Sequence, residues 1–144
     1  LQKIFDGLLK NAIENTPDEG RIEVAVRKIG NGAALTVHDF GVGVTEAHQR
    51  RIFEGFFPTQ ETHRYSSKNP YDFNAGGKGA DLLRLKIFSE RFHFKLDVSS
   101  VRCRHIPLAS DICPGTISQC QHCQSVKDCC LSGETTFTAL FQSP

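Results

Sequence analysis

The apolar positions of the first fifteen residues fall on one side of a helical wheel. Leu1, Ile4, Phe5, Leu8, Leu9, Ala12 and Ile13 recur at intervals of three and four, while Lys3, Gly7, Lys10, Asn11 and Glu14 take the remaining positions. That spacing predicts an amphipathic helix with one buried face. Thr16-Pro17-Asp18-Glu19-Gly20 ends it, because a residue before proline is pushed out of helical space and glycine permits a tight turn. The period then shortens to two. Ile22, Val24 and Val26 alternate with charged or small residues, Gly30-Asn31-Gly32 supplies turn chemistry, and Leu35 and Val37 resume the alternation, so a β-hairpin is expected. A second helix is predicted over Glu46 to Phe53. From Pro58 to Gly79 periodicity is lost and Thr, Ser, Asn, Tyr and Gly accumulate, as in a long functional loop. Leu82, Leu83, Leu85, Lys86, Ile87 and Phe88 restore a helix that begins directly after Gly76, Gly77 and Gly79. Phe94, Leu96 and Val98 read as one strand and Thr136 to Phe141 as another, separated by an insertion at about residues 101 to 134.

Composition narrows what such a chain can do. At 144 residues it fits one domain, 1–144, with at most an appended subdomain. Lys and Arg number 17 against 16 Asp and Glu, so no broad field points to nucleic acid or to an anionic membrane surface. No apolar run approaches the roughly 20 residues needed to cross a bilayer, and the chain opens on an amphipathic pattern instead of a signal peptide. A soluble piece of a longer polypeptide is expected, since methionine is absent throughout, position 1 included.

Four segments carry the chemistry. Leu8-Leu9-Lys10-Asn11-Ala12-Ile13 with Thr16-Pro17, then Asp39-Phe40-Gly41-Val42-Gly43, then Phe53-Glu54-Gly55-Phe56-Phe57, then Gly76-Gly77-Lys78-Gly79 follow one another in order. Together they resemble the N, G1, F and G2 boxes of the ATP-binding catalytic domain of sensor histidine kinases, in the superfamily that also holds gyrase, MutL and the Hsp-type ATPase chaperones. The resemblance spans most of residues 1–100 and resumes at 133–141. It implies a two-layer α/β (α+β) sandwich of the Bergerat type, with a mixed, mostly antiparallel sheet covered on one face by helices. ATP would lie between the helices and a lid at about residues 58–79.

Each box also makes physical sense. Asp39 ends a strand before two glycines, so its carboxylate can accept a hydrogen bond from the adenine amino group while Gly41 and Gly43 let backbone approach the base. A strand-ending turn aspartate is the bland alternative. The amide oxygen of Asn11 is a hard ligand suited to Mg²⁺ when phosphate and water complete the shell; the bland alternative is a capping asparagine. Asn15, one turn on, falls in the same box. Gly77 and Gly79 open a helix whose free amides, with Lys78, suit phosphate oxygens, or else they form a hinge. Phe53 borders the pocket, although with Phe56 and Phe57 it reads first as packing that anchors the loop.

Departures from the family lie at the phosphate end. Gly7 stands one turn before Asn11, where a polar residue is usual; Glu14 replaces a frequently basic residue, Asn15 a frequently aromatic one, and Asp81 the last glycine of the fourth box. Lys78, Lys68, Arg64 or Mg²⁺ would have to offset the added carboxylate. The resemblance implies a protein-histidine kinase half in the cytoplasm, within a full-length protein either soluble or membrane-anchored. Its partners would be a histidine-bearing dimerisation domain of the same protein and a downstream response regulator. None of His38, His48, His63, His93, His105 and His122 stands in a phosphoacceptor pattern. The alternatives are a degenerate nucleotide-binding regulatory module and a relative acting on serine.

All six cysteines lie between Cys103 and Cys130, in the pattern C-x9-C-x6-C-x2-C-x5-C-C, which favours a local device in a reducing compartment. Cys120-x-x-Cys123 has the spacing at which two thiolates reach one metal, and Cys113 with Cys129 or Cys130 completes a tetrahedral zinc set, here Cys113, Cys120, Cys123 and Cys129. Disulfides or free thiols, and an iron–sulfur or redox role, are the other readings. Chelation is expected to loosen residues 103 to 131 and leave nucleotide binding largely intact.

Overall fold

The computed structural model describes residues 1–53, 80–108 and 110–143. Helix α1 (Gln2–Asn15) is followed by strands β1 (Ile22–Ile29) and β2 (Gly32–Asp39), helix α2 (Glu46–Gln49), helix α3 (Ala80–Phe92) and strand β3 (Lys95–Val101). A 3₁₀ turn (Ile117–Gln119), helix α4 (Val126–Cys130) and strand β4 (Glu134–Phe141) complete the chain. The expected lid, with the box residues Glu54, Gly55, Phe56, Phe57, Gly76, Gly77, Lys78 and Gly79, lies outside the described residues, as does the side chain of Asp81.

The strands form a sheet in the order β1-β2-β4-β3. Every ladder is antiparallel, and a single parallel bridge, Asp18 to Thr116, joins the α1–β1 connection to the insertion. The predicted hairpin is β1–β2, closed at Ile29 and Gly32. Leu35 and Val37 of β2 pair with Ala139 and Phe137 of β4, so all four present one face. Ile4, Leu8 and Ala12 of α1 and Leu82 and Leu85 of α3 pack on that face, giving two layers with one core. Leu8 and Ala139 are completely buried. Burying a leucine of this kind contributes roughly 1.5–3 kcal/mol.

One expectation needs correction. The helix predicted over Glu46 to Phe53 is one turn, Glu46–Gln49. The amide of Arg51 donates to the carbonyl of His48, three residues back, and this tighter turn ends the helix while sending Ile52 into the core. In the β1–β2 hairpin the two strands are buried unequally. Val24 and Val26 oppose Val37 and Leu35, yet they are 44% and 71% exposed because β1 is the sheet's outer strand, beyond the reach of α1 and α3.

Candidate functional site

The C-terminal half of α1 and the turn after β2 are built against each other. The amide of Val42 donates to the carbonyl of Asn15 at 3.1 Å, which caps the helix end and brings the first two boxes together. A side-chain carbon at Gly41 would overlap that same carbonyl, and one at Gly43 would overlap the carbonyl of Val101. Gly43 also has φ of 68°, a left-handed conformation that glycine adopts without steric cost. The close approach expected at these glycines is thus made by the protein's own backbone.

Asp39 sits at the end of β2, between Ile22 and Thr135 in the flanking strands, and is 1% exposed. Its Oδ1 accepts the amide of Gly41 at 3.1 Å, which fixes the carboxylate's direction. Asn11 is buried on the face of α1, and the Nδ2 of Asn15 donates both to its carbonyl at 2.8 Å and to its Oδ1 at 3.3 Å. Asn15 therefore orients Asn11. Phe53 packs edge-on to Phe137 with ring centroids 6.2 Å apart, a packing contact with the core.

A polar girder beneath the turn was not foreseen. The Ser100 hydroxyl lies 2.8 Å from that of buried Thr135, donates to the carbonyl of Glu134 and accepts the amide of Val44 at 2.8 Å. The Nε2 of Gln49 clamps the carbonyls of Val44 and Ser100, both at 2.9 Å. Isolated serines and threonines in strands carry no periodic signal, and only the pairing of Ser100 with Thr135 across β3 and β4 reveals the arrangement.

Gly7 has a packing explanation. It is buried under Leu85 of α3, whose Cδ1 would lie 3.2 Å from an added side-chain carbon. Beside this contact a groove of about 420 Å³ runs between α1 and α3, flanked by Lys3, Asp6, Lys10 and Arg84. Among the histidines, His38 pairs through Nε2 with Glu134 at 2.8 Å, a cross-strand structural contact.

The insertion has its own centre. All six cysteines are free thiols, and five of them, Cys103, Cys113, Cys120, Cys123 and Cys129, line one cavity of about 320 Å³. The imidazoles of His105 and His122, stacked at 5.1 Å, complete its wall. Burial raises the Cys129 thiol to about 12, and the nearby sulfurs of Cys123, Cys113 and Cys103 push in the same direction. Burial and a hydrogen bond with Cys120 raise Cys123, with Cys103 also contributing. Burial raises the Cys130 thiol, with Arg21 opposing and Glu23 adding to the shift, and Cys130 does not line the cavity. Among the described residues no group of three or more His, Cys, Asp or Glu side chains is placed to hold a metal ion as it stands. Nor is any described helix long and apolar enough to cross a membrane.

Comparison with known proteins gives an independent view. The family described as histidine kinase-, DNA gyrase B- and HSP90-like ATPase matches residues 1–141. The phosphate regulon sensor protein PhoR of Pseudomonas aeruginosa is 31% identical over 121 residues, covering 84% of this chain and 26% of that protein. Sporulation kinase A of Bacillus subtilis is 36% identical over 61 residues, 42% of this chain and 10% of its own length. The chain thus spans about a quarter or less of these two relatives. Among solved structures, the mycobacterial sensor histidine kinase MprB superposes with a TM-score of 0.59 at 20% identity, covering 99% of this chain and 72% of that one. At that identity the likeness concerns the fold.

Proposed function

The chain belongs to the family of histidine kinase-, DNA gyrase B- and HSP90-like ATPases, and from that premise we propose that it is the ATP-binding catalytic domain of a two-component sensor histidine kinase. The observation that carries this reading is the buried Asp39 carboxylate, held by Gly41 at the end of a core strand and beside the helix that bears Asn11. A fixed, desolvated acceptor of this kind suits the exocyclic amine of adenine. The oxygen of Asn11 has a second lone pair beyond the one directed at Asn15, and it would serve Mg²⁺. Gly77, Lys78 and Gly79 would serve the phosphates.

When bound, Mg-ATP supplies the phosphoryl group, and the protein's part is positioning and charge stabilisation. The acceptor is a histidine on a separate dimerisation domain of the same protein, with a response regulator downstream and a cytoplasmic location for this domain. A second reading is favoured by Gly7, whose place on the helix is given to packing under Leu85 instead of a polar group. In that reading the domain binds nucleotide and regulates a partner without efficient transfer. Incubation with Mg-ATP and a histidine-bearing dimerisation domain separates the two, since only the kinase labels the histidine.

The nucleotide reading is tested by Asp39→Asn. This change removes the charge and presents a donor to the adenine amine, so Mg-ADP affinity is expected to fall by about 1–3 kcal/mol. Calorimetry showing equal affinity in the two proteins, with the fold intact by circular dichroism, would refute the assignment.

A further inference from the structure

The insertion between β3 and β4 has little hydrophobic means of holding itself together. Of its large aliphatic side chains Ile117 is buried, while Leu108, Ile112, Val126 and Leu131 are exposed. The chain there is nonetheless laid down in a defined path, through the 3₁₀ turn and through α4, whose first turn is capped by Ser125. What its turns surround is sulfur. The five thiols come from positions spread over 27 residues, four on irregular backbone and one on a helix, yet they line one cavity. The sixth, Cys130, is left out although it adjoins Cys129, so the convergence is selective and does not simply follow from cysteine density.

We propose that this cavity is a zinc–thiolate site, in which Cys120, Cys123 and Cys129 are joined by Cys103 and whose occupancy sets the affinity of the nucleotide site. Cys103 takes the fourth position because it lines the same cavity as the other three and its backbone is fixed at the cavity's edge by the hydrogen bond to Val42. The sulfurs stand on the cavity wall, so closing a tetrahedron would require them to move inward. Each ligand thiol releases its proton as the metal–sulfur bond forms, and the ion compensates the clustered negative charge. Zinc suits four thiolates in a tetrahedron and supplies the cross-link that the apolar side chains do not. No oxidant is required, as it would be for disulfides.

The coupling follows from where the site is anchored. The amide of Cys103 donates to the carbonyl of Val42 at 2.7 Å, and the guanidinium of Arg102 reaches the carbonyl of Gly43 at 3.3 Å. Gly41 and Val42 themselves form part of the cavity wall. On the other side the insertion is stitched to the end of α1, with Asp18 donating to Gly115 at 2.8 Å and Ile117 to Asp18 at 3.3 Å. One of the ligands therefore belongs to the strut that supports the turn next to Asp39. This part of the inference rests on the nucleotide reading above; the zinc part does not.

The test uses the whole chain, purified under reducing conditions without added metal. Elemental analysis is expected to find about one zinc per chain, lost in the Cys120→Ser/Cys123→Ser double variant and in Cys103→Ser but retained in Cys113→Ser. Stripping the wild-type protein with a strong chelator is expected to weaken Mg-ADP at least about fivefold, and Zn²⁺ alone, added back, to restore it. Using stripped and reloaded wild type avoids reliance on variants that fail to fold. Absence of metal with cysteines paired by mass spectrometry, or iron with labile sulfide in place of zinc, overturns the site. Zinc retained in Cys103→Ser but lost in Cys113→Ser overturns the ligand set. One zinc per chain with Mg-ADP affinity unchanged by stripping overturns the coupling, whereas a zinc-loaded chain that binds no nucleotide defeats the nucleotide reading and leaves the metal site standing.

Discussion

Gly43 and Gly30 both adopt positive φ, at 68° and 55°, but only Gly43 is pressed against another backbone. Alanine at Gly30 meets nothing within 4 Å and is expected to cost about 1–2 kcal/mol, the left-handed penalty alone. Alanine at Gly43 adds a clash with the Val101 carbonyl that backbone must yield to, so a loss well above 2 kcal/mol is expected. Thermal melts of the two variants check this, and equal melting temperatures would show that the turn is not braced by β3. At Asn15 the expected effect is on ligand binding. Asn15→Ala removes the amide that orients Asn11, so Mg-ADP affinity should fall while metal-free ADP affinity changes little, as calorimetry with and without Mg²⁺ can show. A candidate chemistry for Asp39, Asn11 and the paired glycines could be proposed from the sequence because each depends on residue type and short spacing. The orienting role of Asn15 and the Ser100–Thr135 girder could not, because they depend on which strands and turns become neighbours.

At the scale of elements, periodicity located α1, the hairpin, α3 and the last two strands, and it carried no information on burial where the sheet ends. The alternating valines of β1 look in sequence like those of β2, but only a strand flanked on both sides and roofed by helices buries them. The consequence is measurable. Leu8→Ala, at a fully buried position of α1, is expected to cost about 2–5 kcal/mol, whereas Val26→Thr, 71% exposed, should stay within about 0.5 kcal/mol. Denaturant unfolding of both variants decides it; a large loss in Val26→Thr would mean that β1 is covered in solution. Helix α2 was read too long because Arg50 to Phe53 contain no glycine or proline to mark an end, while the backbone has already tightened at His48.

In the whole molecule the insertion and the turn after β2 are tied together by hydrogen bonds. Sequence order separates Cys103 from Gly41 by sixty residues and suggested an appendage that could loosen alone, but the hydrogen bonds from Cys103 and Arg102 to Val42 and Gly43 argue that the two respond together. Long-range register of this kind is invisible to local pattern. The central claim is that a buried carboxylate at the end of β2 reads the amine of adenine, and the unmodified protein can test it by calorimetry with Mg-ADP against Mg-inosine diphosphate. The two ligands differ at the purine 6-position, where an amine that donates is exchanged for a carbonyl that accepts. If Asp39 holds the base, the inosine nucleotide should bind about 1–3 kcal/mol more weakly, roughly five- to 150-fold. Equal affinities for the two nucleotides would contradict the account.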